Sequence, residues 1–309
     1  MSTEIRKYAV IDIGSNTIRF NIYKMNKKKY RTISTKKTFA GLSSYVEDDI
    51  MSDFGINKAI KILKKYKKIM NEFEIEDYFV FATAAIRNAK NSKEIIKRLE
   101  DETSFKLELL SGKMEGFCDY HGLLMERDIK GEDAYIVDIG GGSTEIIYIK
   151  DGEYVDSISL PEGSLSIYKK NVASIIPSFE ESYIIEEQVT KLLKEYPIKI
   201  EKVDKLYGIG GTIRACGNIS QEFYGKDTNK HVSDQELEKL ILGFINNDPN
   251  LLKKTLQIVP ERIHTQVTGM LILRRVLKLL DIKDIDISKN GVREGYLNLK
   301  LKEIDYDWL

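Results

Sequence analysis

Two stretches of the chain share one rhythm of apolar and polar positions. In Ala9–Lys24 and again in Tyr135–Lys150, a run of β-forming residues ends at small or glycine residues, and a second β run follows at once. This is the pattern of strand, tight turn, strand. The two copies align at one constant offset, 138 − 12 = 126. Asp12 then falls on Asp138, Gly14 on Gly140, and Ser15-Asn16-Thr17 on Gly141-Gly142-Ser143.

Around the first copy, residues 8–13, 18–24 and 30–39 read as strands. Ile56, Ile60, Leu63, Met70 and Phe73 then repeat at helical spacing, and Tyr78–Ala82 is the continuous apolar run of a buried strand. Asn91 and Glu94 suggest a capping pair, and residues 105–110 a further strand. A helix from Ser111 follows, with Met114, Phe117, Cys118, His121 and Met125 as its apolar face. The order βββαβαβα is that of a ribonuclease H-like lobe. The second half repeats it: strands at 134–139, 145–150 and 153–160, and capping boxes at Ser178–Glu181 and Ser233–Glu236. A short strand, Lys205–Ile209, leads into a helix carrying Arg214. Pro260 opens another helix, Ile285–Ile287 is a last strand, and a terminal helix starts at Gly291. The fold class predicted is α/β, with lobes at 1–126 and 127–309, a cleft between them, and a terminal helix at about 291–303 packing back on the first lobe.

Composition narrows the function. Hydrophobic residues make up 42% and charged residues 31%, which describes a globular domain rather than a disordered chain. Basic and acidic side chains balance at 48 each, which argues against a nonspecific DNA or RNA binder. Two cysteines give no disulfide framework. No apolar run is long enough to span a bilayer, and MSTEIRKYAV lacks the apolar core of a signal peptide. A cytoplasmic location without membrane contact is expected.

The turns carry the chemistry. Clustered glycines let the backbone approach a ligand closely, and N–H groups converging on one concavity hold an anion, most often a phosphate. Asp138 and Glu145 flank the second turn; carboxylates beside phosphate call for a hard cation between them. Gly208-Ile-Gly-Gly-Thr212 is a third glycine loop, in which Gly210, Gly211 and Thr212 open a helix and suit another phosphate, or only a tight β–α connection. Arg87, after the strand 78–82, is placed to clamp a phosphate, or to make a surface salt bridge. Glu115 stands in a first helical turn, where an acid often only complements the helix dipole; attack by water on phosphorus also needs a carboxylate base. His121 sits on an apolar helical face, as a core histidine does.

These segments resemble the exopolyphosphatase/guanosine pentaphosphate phosphatase family of the actin–hexokinase ATPase superfamily. The resemblance runs through Ile11–Arg19, Ala82–Arg87, Ser111–Gly116, Val137–Glu145, Gly208–Thr212, Glu261-Arg262 and Gly291–Gly295. It implies two actin-like lobes and metal-dependent release of terminal phosphate from inorganic polyphosphate or pppGpp. It implies that Glu115 activates the attacking water and that Asp138, Glu145 and Asp12 serve Mg²⁺ or Mn²⁺. Ser15, Asn16, Thr17, Gly141, Gly142 and Ser143 would cradle phosphates, with Arg87 and Arg262 holding them by charge. Met114 departs from the family, which often has a second acid there. The chain looks like the short form, for which a homodimer is expected. An ATP-dependent phosphotransferase or a non-catalytic polyphosphate or nucleotide sensor would use the same loops.

Overall fold

The computed structural model describes residues 6–26 and 29–306, so part of the N-terminal stretch predicted to lack a signal-peptide core lies outside the described residues. The chain divides into two compact units, Met1–Ser111 and Gly112–Leu309.

In the first unit, β1 (Arg6–Ile13), β2 (Thr17–Asn26) and β3 (Lys29–Phe39) form an antiparallel meander. A 3₁₀ turn (Leu42–Tyr45) and the small ladder β4 (Val46–Glu47) and β5 (Ile50–Met51) lead to α1 (Asp53–Glu72). Then come β6 (Asp77–Ala82), α2 (Ala84–Arg87), α3 (Ser92–Thr103) and β7 (Glu108–Leu109). β6 lies parallel to β1 and β7 parallel to β6, giving the order β3-β2-β1-β6-β7. The predicted stripe of Ile56, Ile60, Leu63 and Met70 is buried, whereas Phe73 caps the helix at 54% exposure. Asn91 takes the N-cap position of α3 as expected, but its side chain bonds elsewhere, accepting from Met51 N and donating to Met51 O, each at 3.0 Å. The strand expected at 105–110 shrinks to β7, since Leu107 N donates to the Glu100 carboxylate at 2.9 Å instead of a neighbouring strand.

In the second unit, α4 (Gly112–Leu124) precedes β8 (Ala134–Ile139), β9 (Thr144–Lys150) and β10 (Glu153–Leu160). α5 (Ser164–Asn171), α6 (Phe179–Glu195), β11 (Lys205–Ile209), α7 (Gly210–Tyr224), β12 (His231–Ser233) and α8 (Asp234–Ile245) follow. The unit ends with α9 (Pro249–Ile258), α10 (Ile263–Leu280), β13 (Asp284–Ile287) and α11 (Val292–Tyr306). Its sheet runs β10-β9-β8-β11-β13-β12, so the first five positions repeat the topology of the first unit. Both capping boxes form: Ser178 accepts from Glu181 N and Ser233 from Glu236 N, each at 3.2 Å. Helices cover both faces of the sheet. Tyr135, Val137 and Ile139 join the core beneath α6, α7, α8 and α10, while Ala134 and Ile136 join a smaller core with Tyr120 and Leu123 of α4. That is why β8 is apolar almost throughout rather than alternating.

α4 turns a different face inward from the one its apolar residues predict. Glu115, Cys118, Asp119, Tyr120, Gly122 and Leu123 are buried, and Met114 is 40% exposed. The cause is α11, which packs along α4 within the second unit through glycines: a Cβ on Gly295 would lie 1.7 Å from the Cys118 carbonyl oxygen. A helix face made of glycines and acids leaves no apolar period to read. Residues 112–126, placed in the first lobe from sequence, thus fall in the second unit.

His121 stacks edge-on against Phe117 at 4.6 Å between ring centres. Burial, with a smaller contribution from Lys302, lowers its pKa from 6.5 to about 4. A depressed histidine favours the neutral form, so its contribution is intact above pH 6.5 and is lost as pH falls from there toward 4. Unfolding free energy measured in urea should therefore fall across that window, and His121→Gln should flatten that slope.

Candidate active site

Three loops sit where parallel strands end. β8 and β11 run parallel with Asp138 beside Ile209, so the turns Gly140–Ser143 and Gly210–Thr212 emerge side by side. The first unit repeats this, with β1 and β6 ending together and Thr83 N donating to Ile13 O at 3.2 Å. Ligands collect at such carboxyl ends of strands.

The turn peptides are held from behind. Gly140 N donates to Ser143 O at 3.0 Å, and Gly14 N to Thr17 O at 3.1 Å, the same turn 126 residues apart. At the start of α5, Ser164 N donates to Gly140 O at 2.9 Å. Leu165 N and Ser166 N both donate to Gly141 O, at 2.9 and 3.0 Å. In the first unit Ser43 N donates to Ser15 O at 3.1 Å, and Ala40 N and Gly41 N donate to Asn16 O at 3.0 and 2.8 Å. A peptide whose carbonyl points back into the protein turns its N–H the other way, which makes these turns nests for an anion. Gly163 permits the close approach: a Cβ there would lie 2.5 Å from Gly140 O and 2.8 Å from Gly142 N. The third loop has a similar brace, with buried Gln266 of α10 donating from Nε2 to Thr212 O at 3.1 Å.

The acids gather on the second unit. Asp138 and Glu145 stand directly opposite each other on β8 and β9, with Ser159 of β10 opposite Glu145. Ser159 Oγ donates to Glu145 Oε1 at 2.8 Å, fixing a carboxylate that is 3% exposed. α4 begins against the same serine: a Cβ on Gly112 would lie 2.2 Å from Ser159 Cβ. Its first turn carries Glu115, 5% exposed, and one turn later Asp119, fully buried. Burial, then Asp138, Glu145 and Glu115 in that order, push the Asp119 pKa well up, with Arg214 opposing. At the position equivalent to Glu145, the first unit has Arg19, opposite Asp12.

The cations gather there too. Arg214 of α7 and Arg262, which caps α10, are both lowered, first by burial. Arg293 then acts on Arg214, and Arg214 on Arg262; Asp138 pulls both the other way. Arg214 Nη1 donates to Lys289 O at 3.2 Å, and among the described residues neither guanidinium forms an ion pair. Half-buried guanidiniums that repel one another are set up to receive an anion with several charges.

Of the residues singled out from sequence, Glu115, Asp138, Glu145, Gly141, Gly142, Ser143, Gly210, Gly211, Thr212 and Arg262 lie in the second unit. Asp12, Ser15, Asn16, Thr17 and Arg87 lie in the first, where Arg87 Nη1 donates to Leu110 O at 3.0 Å beside the end of β6. Ser159, Asp119, Arg214 and Gln266 touch or act on these groups, although no motif shows them. Strand register would have found Ser159, and four-residue helical spacing from Glu115 would have found Asp119.

Gly210 has a left-handed φ of 85°, and a Cβ there would lie 1.8 Å from Asp138 Oδ1. Gly225 is also left-handed, at 67°, with open space around it. Gly225→Ala should cost about 1 kcal/mol from backbone strain alone. Gly210→Ala should cost about 1–3 kcal/mol more in urea unfolding and weaken pyrophosphate binding at least about ten-fold; equal costs would show that Asp138 tolerates the displacement.

A model of the Ppx/GppA phosphatase family matches residues 22–303. The bifunctional 3-dehydroquinate synthase/phosphatase of Fusobacterium nucleatum is 28% identical over 299 residues, covering 91% of this chain but only 45% of that protein. Exopolyphosphatase 1 of Mycobacterium tuberculosis is 23% identical over 304 residues, covering 96% of this chain and 88% of that one. The crystal structure of the Aquifex aeolicus member of the Ppx/GppA family superimposes with a TM-score of 0.80 at 28% identity, covering 97% of this chain and 99% of that one. An exopolyphosphatase structure from Cytophaga hutchinsonii shares the fold, with a TM-score of 0.86 at 20% identity over 96% of this chain and 98% of that one. With a duplicated actin-like topology and a family model that matches most of its length, the chain belongs to the Ppx/GppA phosphatase family.

Proposed function

We propose that this protein is an exopolyphosphatase that hydrolyses the terminal phosphoanhydride of inorganic polyphosphate with a divalent cation, Mg²⁺ or Mn²⁺. The class of reaction, phosphoanhydride hydrolysis, goes with the family. The polymer as substrate is supported by relatives named exopolyphosphatase that this chain covers over 88% of their length. The observation that carries the proposal is the acid–arginine juxtaposition beside two braced loops in the second unit.

The residues present fit a cation of this kind. Mg²⁺ is usually held by one or two carboxylates plus substrate phosphates rather than an all-protein cage. Asp138 and Glu145 supply two carboxylates face to face, and among the described residues no three acid, histidine or cysteine side chains form a cage. Bound there, the cation would neutralise phosphoryl oxygens and link them to the two acids. Asp12 is the equivalent carboxylate of the first unit, at the same position of its hairpin.

The chain's own groups do the rest. N–H groups of Gly141, Gly142 and Ser143, and those opening α7 at Gly210–Thr212, hold phosphoryl oxygens. Ser15, Asn16 and Thr17 offer the equivalent turn, and Arg87 and Arg262 add charge. Glu115, on the first turn of α4, takes a proton from the attacking water. Its burial excludes competing solvent. Among the described residues no helix is long and apolar enough to cross a membrane. A cytoplasmic location and a homodimer remain part of the proposal.

Glu115→Gln keeps the shape and removes the base. Phosphate release should fall by about 10²–10⁴-fold, with an unchanged circular dichroism spectrum and melting temperature. Undiminished turnover would take Glu115 out of the reaction. A phosphate-release panel over polyphosphates of graded length, pppGpp and ATP should favour the polymers. A preference for pppGpp, or ATP consumption that needs an added acceptor, would overturn the choice of substrate.

A further inference from the structure

Between β13 and α11 the chain passes through Ser288–Gly291, and each of these four backbone N–H groups has an acceptor. Ser288 N donates to Gly208 O at 2.9 Å, which ties the loop to β11. Gly291 N donates to Glu294 Oε2 at 3.1 Å. Gly291 also lies against the end of β11, since a Cβ on it would sit 2.7 Å from Ile209 Cγ2. The loop therefore runs beside the turn Gly210–Thr212. Between its two ends, three donors converge on one oxygen atom, Oε2 of Glu126. They are the Ser288 hydroxyl at 2.8 Å, Lys289 N at 2.8 Å and Asn290 N at 3.2 Å. Successive N–H groups aimed at one point form a nest for an anion, and here the chain supplies the anion itself. Burial raises the Glu126 pKa, but the three donors outweigh it and the net shift is downward, so the group is a carboxylate at neutral pH.

The peptide joining Lys289 to Asn290 is shared between two charged side chains. A trans peptide points its N–H and its C=O in opposite directions. Its N–H goes to Glu126, and its carbonyl, Lys289 O, receives Arg214 Nη1 at 3.2 Å. Among the described residues this is the only hydrogen bond of the Arg214 side chain. Arg214 stands four positions after Gly210 on α7, and residues so spaced share a helix face. Gly210 is the residue pressed against Asp138, where a Cβ would lie 1.8 Å from Oδ1. Arg214 thus projects from the face of α7 that meets the end of β8. A guanidinium has five N–H donors, so the bond to Lys289 O fixes the fork while leaving most of it for a ligand.

We propose that Glu126 is a positioning residue of the anion site: by holding the 289–290 peptide it aims Lys289 O at Arg214, and so sets the guanidinium for a phosphate. The inference rests on the reading of Arg214 as an anion-holding group. Glu126 belongs to none of the sequence motifs. It lies just past the last turn of α4, so one helix carries Glu115 in its first turn and this brace beyond its last. Gly122 seats α4 on the loop, because a Cβ on it would lie 2.5 Å from Gly291 O. The scheme is that of the glycine turns, in which a peptide held from behind settles the direction of the group in front.

The test is pyrophosphate binding by the full chain, read by titration calorimetry as a double-mutant cycle. Arg214→Met removes the fork and keeps a long side chain. Loss of its charge-assisted hydrogen bonds should weaken binding about 10–100-fold. Glu126→Ala, with Arg214 intact, should weaken it at least about five-fold. In the Arg214→Met background, Glu126→Ala should add less than about two-fold, because the group it aims has gone. Glu126→Gln keeps an oxygen acceptor for the same N–H groups and should bind within about three-fold of the parent. If the two losses multiply in full, Glu126 acts on the fold at large and the inference fails. If Arg214→Met binds pyrophosphate as the parent does, the inference fails while the braced turns stand as phosphate sites. If the parent binds no pyrophosphate, the anion-site reading fails with it. If Glu126→Ala does not fold, or Glu126→Gln binds no tighter than Glu126→Ala, Glu126 is not a positioning residue and the inference is overturned.

Discussion

Backbone direction is the constraint on which the rest of this molecule depends. A glycine-rich turn binds an anion only if its peptides are prevented from flipping, and here carbonyls are secured by donors from the element behind. The start of α5 holds Gly140 and Gly141, and the residues around Gly41 hold Ser15 and Asn16. The third loop borrows a side chain, Gln266, for the same task. Each brace is an ordinary hydrogen bond, worth about 1 kcal/mol on its own. Their effect is geometric: orientation is settled before a ligand arrives, so little of the binding energy goes into ordering the loop.

Charge then separates two lobes that topology makes alike. The sheets share one strand order, and the turns share one hydrogen-bonding scheme. Opposite Asp12 stands Arg19, whereas opposite Asp138 stands Glu145. The first turn therefore carries a positive group within its own hairpin. The second gathers Glu115, Asp119, Asp138 and Glu145 beside Arg214 and Arg262. Excess acid next to a phosphate-binding turn is unfavourable without a cation. The two turns are alike in backbone, and the arginine of one against the glutamate of the other makes their charge differ.

Much of this is legible in the chain before any coordinates. The β runs, the register between the two copies and the boxes at Ser178 and Ser233 follow local rules of propensity and capping, and they recur in the fold. What local rules miss is set by tertiary contact. α4 buries a face of glycines and acids because α11 can approach it closely, so its hydrophobic period points the wrong way. Asn91 serves the backbone of Met51, forty residues away, instead of its own helix. α5, which braces the second turn, is short and has a weak pattern, and the sequence gives no sign of it. Ser159 and Asp119 belong to no motif; strand pairing and helix packing alone bring them to Glu145 and Asp138.

In the proposed reaction water attacks the terminal phosphorus directly, with phosphoryl oxygens held by braced backbone and Glu115 acting only as a base. A single turnover of polyphosphate in ¹⁸O-water measures this most directly. The first phosphate released should carry one ¹⁸O atom, with no protein carboxylate labelled. An unlabelled first phosphate, with ¹⁸O appearing in the Glu115 side chain, would mean that the glutamate attacks phosphorus itself, and would contradict it.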